Sequence, residues 1–241
     1  MYLSNDVPNI SMVVPLPDNP ETCVNIKAMQ KLLSNHPNRK QVDYVITGLK
    51  EGFDIGYVGG ELRDAYRNNK SARDNASKVN AAIMECLREK TLTGPFEQKP
   101  MPHVHCSPIG AAEKSSGAVR VILDLSSPKG ASVNDFINKE DFPVKYSSFD
   151  DAVEMVAGIG PEAFLAKLDI KNAFTICPVK KGQWFLLAFK WQGKYYIYPI
   201  LPFGLRSSPH IFNSLAELIN WVINEYGCHS IHYLDYFLWH T

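Results

Sequence analysis

Apolar residues follow no period from Met1 to Pro20, and four prolines interrupt them, which predicts an extended lead-in. Helical spacing begins after it. Val42, Val45, Ile46 and Leu49 recur at three- and four-residue intervals and stop at Gly52; Val79, Ile83, Cys86 and Leu87 do the same and stop at Gly94-Pro95. The polar, glycine-punctuated stretch GYVGGELRDAYRNNKSARDN between them reads as a connection. From Cys106 the pattern changes to strands. SPIGAAEKSSGAVRVILDLSSPKG reads as a hairpin around Ser-Ser-Gly, which brings Lys114 and Arg120 near one another. A helix from Ser148 to about Ala157 leads into a strand, AFLAKLDI, and a short turn, KNAF. QWFLLAFK and KYYIYPI, joined at Gln192-Gly193, predict a second hairpin. Ser208-Pro209 then opens a helix whose apolar face runs from Ile211 to Ile223 and which Gly227 ends. Last come the strand SIHYL, a two-residue turn and the strand FLWHT. This order predicts an α+β fold close to a split βαβ arrangement, with helices on one face of an antiparallel sheet.

Composition changes the picture little, and charge changes it locally. The 241 residues are 45% apolar and 21% charged, with 25 basic and 25 acidic side chains, so global charge points to no nucleic-acid partner. Between Pro161 and Arg206, however, seven basic residues stand against Glu162 and Asp169. Such a neighbourhood suits a phosphate-rich ligand held near a metal, or equally a solvated lysine face. Five scattered cysteines without a CxxC pair fit free thiols in a reducing compartment. No apolar run reaches the roughly 18 to 20 residues of a membrane span, and no signal peptide is legible, so a cytoplasmic or nuclear, not secreted, protein is expected.

Candidate chemistry rests on two carboxylates. Asp169 ends a predicted strand and Asp235 sits at the tip of a neighbouring hairpin. Oxygen ligands at adjoining strand ends are what magnesium requires, and two such ions support phosphoryl transfer. Aspartate is also common at turns, and that plainer reading stands beside the first.

Three phrases in order, KLDIKNAF (167–174), LPFGLRSSPHIFN (201–213) and HYLDYFL (232–238), resemble motifs A, B and C of reverse transcriptases. GAVRVILDLSSPKGASVNDFI upstream resembles the fingers segment of retrotransposon enzymes. KEGFDIGYVGG and GPFEQKPMPHVHCSPIGAAEK are most similar to the tyrosine-recombinase (DIRS-like) retroelements. The resemblance covers residues 40 to 241 and implies an RNA-directed DNA polymerase acting on a primed RNA or DNA template with deoxynucleoside triphosphates and two Mg2+ or Mn2+ ions. It implies right-hand polymerase fingers and palm, an antiparallel palm sheet backed by helices, and no thumb. The expected division is a lead-in over 1–22, a helical N-terminal or fingers extension over 23–105, fingers over 106–160, and a palm over 161–241 that stops after motif C.

The residues match as follows. Asp169 and Asp235, with the backbone of Ile170, resemble the metal-binding set. Phe174 matches the aromatic gate below the sugar, and Arg120 the fingers arginine, with Lys114 a looser match for a phosphate-binding lysine. Ile170, Lys171, Asn172 and Ala173 would offer backbone N–H groups to the triphosphate, and Phe203-Gly204 would pack under nucleotide and template. Plainer readings remain for several: Phe174 as core, Arg120 as the solvent face of a strand, Gly204 as a turn former. His232 reads as a packed histidine.

Two departures stand out. Tyr236 occupies the place of the second aspartate of motif C, and a phenol with a pKa near 10 is a poor magnesium ligand. Disturbing even the outer partners of a metal costs roughly 10–100-fold, so polymerisation is expected to be strongly impaired. The chain also ends before the family's later palm motifs, thumb and RNase H domain. A catalytically dead nucleic-acid-binding remnant is the alternative, and an unstable fragment with an apolar edge at Phe237, Leu238 and Trp239 a third.

Overall fold

A computed structural model describes residues 14–64, 67–160 and 164–240. Expectations for residues 1–13, 65–66, 161–163 and 241 lie outside the described residues. The described part of the lead-in is extended and tied down. Val14 exchanges backbone hydrogen bonds with Gly94 at 2.7 and 2.8 Å, and Thr22 Oγ1 donates to Ile176 O at 2.6 Å.

Helix α1 (Ile26–Leu32) was not legible from periodicity, since Met29 is its single buried residue. Helix α2 (Arg39–Glu51) buries Val42, Val45, Ile46 and Leu49, as their spacing predicts, and ends at Gly52. The connection contains α3 (Lys70–Asp74), and α4 (Ala76–Arg88) buries Val79, Ile83 and Leu87. Helix α4 stops six residues before Gly94 because the chain enters strand β1 (Thr93–Phe96) instead. Gly94 is not a helix stop. A Cβ there would lie 2.7 Å from Tyr195 O, so glycine permits the approach of β1 to a strand a hundred residues later.

Strands β2 (Ile109–Glu113) and β3 (Val119–Leu123) form the expected hairpin, with Ala112 opposite Arg120. Helix α5 (Phe149–Ile159) starts at a reciprocal cap between Ser148 and Asp151 and buries none of its side chains. Strand β4 (Leu165–Asp169) leads to a 3-10 turn over Ala173–Ile176. The predicted strand over residues 183–190 is half wrong. Lys181–Leu186 is a 3-10 helix in which the buried Trp184 indole donates to Val179 O at 2.7 Å, and only β5 (Ala188–Trp191) is extended. Short apolar runs of this kind do not discriminate strand from helix. Strand β6 (Lys194–Ile197) follows through Gln192 and Gly193, both at positive φ, the conformation a two-residue hairpin turn needs.

Helix α6 (Ser208–Glu225) opens with its proline in the first turn and buries Ile211, Phe212, Leu215 and Leu218. Strands β7 (His229–Tyr233) and β8 (Tyr236–His240) close the described chain. The sheets correct the split βαβ expectation: β1-β6-β5, β2-β3 and β4-β8-β7 are separate. The β5–β6 hairpin therefore pairs with β1 and does not extend the sheet that carries Asp169. The last strand is also not an edge. It inserts between β4 and β7, with Phe237 fully buried and Leu238 and Trp239 partly so.

Candidate active site

Register builds the site. Asp169 of β4 lies opposite Tyr236 of β8, and Tyr236 lies opposite Tyr233 of β7. Directly opposed residues project from one face of a sheet, so Asp169, Tyr236 and Tyr233 share a face at one level. Leu234 and Asp235 form the turn beyond them. The backbone N–H of Ile170 donates to Asp235 O at 2.9 Å, which pins the turn to the end of β4. That N–H is therefore spent, and Lys171, Asn172 and Ala173 are the residues left to offer donors to a phosphate.

The turn is conformationally costly. Leu234 has φ 51°, a left-handed backbone that a branched side chain adopts at a cost of about 1–2 kcal/mol. Its side chain packs against the core, which offsets that cost. Tyr236 is 53% exposed and Tyr233 52%, and Tyr146 tilts against Tyr233 at 4.8 Å between ring centroids. An aromatic surface thus stands where the family resemblance expects a second carboxylate. Among the described residues no three His, Cys, Asp or Glu side chains lie close enough to hold an ion. Asp169 ends β4 and Asp235 stands in the turn that the Ile170 bond holds against that end, so the backbone places the two aspartates at adjoining positions.

Lys114, Arg120, Lys171, Asn172 and Phe203 line one cleft of about 160 Å³ between α4, the β2–β3 hairpin and the segment after β4. The Arg120 guanidinium lies 4.2 Å from the centroid of the Phe203 ring. Phe203 in turn meets Phe174 at 5.1 Å, and Phe174 meets Phe212 of α6 edge-on at 5.8 Å. Phe174 is half-buried, so its packing on Phe212 is a core contact while part of its ring faces out. Arg120 alternates with buried Val119 and Val121, and its exposed side chain is used for the stack on Phe203. Burial pushes the Cys86 thiol and the Tyr198 phenol in the cleft wall up, so neither brings charge to it.

Gly204 acts on the protein itself. At φ 100° a Cβ would sit 2.4 Å from Leu123 O, so the glycine lets the segment before α6 abut β3. Two residues that sequence reasoning missed hold this arrangement. Buried Asn134 donates through Nδ2 to Gly204 O at 2.8 Å and to Ser126 Oγ at 2.9 Å, and accepts from the Arg206 N–H at 2.8 Å. Glu89, at the end of α4, lies 3.7 Å from Lys171 Nζ and accepts from Asn172 Nδ2 at 3.3 Å. Asn134 falls within a phrase quoted for the resemblance, but nothing local marks it as a staple; Glu89 follows a helix and gives no signal. His232 is stacked on Phe237 at 5.4 Å, both ring nitrogens lack a protein partner, and burial lowers its pKa.

No helix among the described residues is long and apolar enough to cross a membrane. No family model matches the chain. It is 23% identical over 232 residues to the Transposon Tf2-7 polyprotein of Schizosaccharomyces pombe, and 23% identical over 233 residues to the Tf2-3 polyprotein of the same organism. Each match covers 96% of this chain and 16% of the polyprotein, so the chain spans about a sixth of the length of these relatives. The structure of the foamy viral protease-reverse transcriptase dRH in complex with ds DNA superposes with a TM-score of 0.54 at 20% identity, covering 96% of this chain and 41% of that one. The native prototype foamy virus protease-reverse transcriptase gives 0.52 at 22% identity, covering 93% and 30%. The chain thus has a mixed helix and antiparallel-sheet fold that resembles the reverse transcriptase fold, and its sequence is similar to part of retrotransposon polyproteins.

Proposed function

We propose that this chain is the fingers and palm of a retroelement reverse transcriptase, built to add deoxynucleotides to a primer 3′ end on an RNA or DNA template. The observation that carries the reading is the hydrogen bond from Ile170 N–H to Asp235 O, which sets two carboxylates at adjoining chain ends beside a cleft holding Lys114, Arg120 and Lys171. Foamy viral protease-reverse transcriptases are described in complex with dsDNA and with an RNA/DNA hybrid, which supports a nucleic-acid duplex as partner. The tyrosine-recombinase retroelements remain the proposed subclass on the N-terminal phrases alone.

In this reading Asp169, Asp235 and the Ile170 carbonyl would hold magnesium or manganese, which when bound neutralises phosphate charge and favours ionisation of the primer hydroxyl. The three cationic side chains would neutralise the triphosphate, the N–H groups of residues 171–173 would orient it, and Phe174 would sit under the sugar. Tyr236 favours a second reading. A tyrosine opposite Asp169 in place of a carboxylate leaves one carboxylate too few for a pair of ions, so a nucleic-acid-binding remnant without turnover is the alternative.

Primer extension on an RNA template, with the parent chain beside Asp169→Ala and Tyr236→Asp, separates the two. Activity of the parent that Asp169→Ala abolishes supports the enzyme. Extension only after Tyr236→Asp supports the remnant. Silence from both, with no salt-sensitive binding of primer–template, sinks both readings.

A further inference from the structure

The cleft lined by Lys114, Arg120 and Lys171 also contains two carboxylates, Glu85 and Glu89, to which the polymerase reading gives no task, and Glu89 is the one paired with Lys171. Glu89 is the C-terminal cap of α4. It places a negative charge at the negative end of a helix, where acids destabilise, so helix stability does not account for it. Its backbone is fixed on both sides. The Glu89 N–H donates to Glu85 O at 2.9 Å, and Lys90 takes a left-handed φ of 57°. The side chain reaches Lys171 Nζ at 3.7 Å with one oxygen and accepts from Asn172 Nδ2 at 3.3 Å with the other. Asn172 is itself left-handed, at φ 55°. Asparagine tolerates that conformation, so the acid at the helix C-terminus is the unfavourable choice, and it is held in a contact across the cleft, a pattern more typical of a functional site than of a stabilising one.

We propose that Glu89 is a resident counter-anion of the phosphate subsite, competing with ligand phosphate for Lys171 and Asn172. This rests on the reading of the cleft as a nucleotide site and adds to it a residue that limits affinity. The physical argument is charge. A ligand phosphate carries about −1.5 to −2 at pH 7 and must displace Glu89 from Lys171 while the carboxylate stays tethered nearby. Repulsion grows with the number of phosphates. Glu89→Gln removes the charge and keeps a carbonyl oxygen able to accept from Asn172, so it separates competition from positioning. The Lys171 side chain is 85% exposed, which puts the ion pair in the surface range. Its loss translates to about a fivefold change in affinity at most.

The test is calorimetric titration of deoxyadenosine triphosphate and monophosphate into the parent, Glu89→Gln and Glu89→Asp, with thermal melts to verify folding. Expected is triphosphate binding about fivefold tighter for Glu89→Gln at low salt, a smaller gain for the monophosphate, and a gain below about twofold near 1 M salt. Glu89→Asp keeps the charge on a shorter arm and should fall between the other two. Equal or weaker binding by Glu89→Gln, with the parent binding normally, overturns the competition and leaves the nucleotide site standing. Absence of triphosphate binding by all three removes the nucleotide reading, and the inference with it.

Discussion

Asn134 offers the sharpest test of how the segment after β3 is joined to the segment before α6. Its side chain makes three hydrogen bonds, to Gly204 O, Ser126 Oγ and the Arg206 N–H, at 2.8 to 2.9 Å from a residue that is 5% exposed. At about 1 kcal/mol net for each bond, Asn134→Ala should cost about 3 kcal/mol. Water can reach Gly204 and Arg206, which are exposed, so the larger penalty of a buried orphan does not apply. For a chain of this length each kcal/mol moves the melting temperature by about 2–4 °C, giving a fall of about 6–12 °C. Ser126→Ala removes one bond of the three, at an exposed partner, and should cost no more than about 1 kcal/mol. Asn134→Asp keeps the acceptor for Arg206 but loses both donors and turns a negative oxygen toward the Gly204 carbonyl, so it should be at least as damaging as alanine. Thermal melts and urea titrations would read the series, with an unchanged m-value showing that the unfolding transition itself is the same. A melting temperature for Asn134→Ala within about 2 °C of the parent, or an aspartate variant as stable as asparagine, would refute the staple.

Two further predictions follow from the same geometry. Gly204→Ala places a Cβ 2.4 Å from Leu123 O at a φ of 100°, and should cost at least about 2 kcal/mol in a urea titration; a loss below about 0.5 kcal/mol would mean β3 yields freely. Burial lowers the His232 pKa against an opposing pull from Glu217, and burial lowers that of His105 as well. The unfolded chain therefore binds protons that the fold resists: stability is full above the ordinary imidazole pKa of about 6.5 and falls as pH drops through the folded value. Melts of His232→Phe should show a shallower loss from pH 7.5 to 5.5 than the parent, and parallel profiles would count against this origin.

What the sequence made legible is what neighbouring residues decide. The spacing of Val42 to Leu49 and of Ile211 to Leu218 placed α2 and α6, and the two-residue turn at Gln192-Gly193 placed one hairpin; the last turn, expected at Asp235-Tyr236, lies one residue earlier at Leu234-Asp235. Contacts across the chain were not legible. Thr93 pairs with Ile197 and Gly94 closes against Tyr195, and no local pattern announces either, so Gly94 read as a helix stop and β5–β6 as an extension of the wrong sheet. Gly204 read as a turn former or a seat for a base, and the contact that no local pattern announces is its close approach to a carbonyl of β3.

The residues around the end of β4 share a property that sequence alone did not display. Asn172 and Leu234 both hold left-handed backbone conformations, and Glu89 puts an acid at a helix C-terminus. Tyr236 puts a bulky ring beside a tight turn, where small polar residues are preferred. Leu234 and Glu89 oppose a local preference, whereas asparagine tolerates the left-handed region and tyrosine suits a strand; all four lie about Asp169: Asn172 three residues on, Glu89 touching Asn172, Tyr236 opposite Asp169, and Leu234 beside the Asp235 whose carbonyl takes the Ile170 N–H. Left-handed side-chain-bearing residues also occur at Lys90, His103 and Gln192, so the end of β4 is one of several places where a local rule gives way. Strain of this kind persists only where surrounding structure over-determines it, and at the end of β4 that structure is the Ile170 to Asp235 bond and the packing of Leu234 on the core. Under the proposed function, substitution of Tyr236 bears on catalysis directly and substitution of Glu89 on binding alone. On that reading the two variants together distinguish a polymerase site that lost its chemistry from one that also lost its ligand.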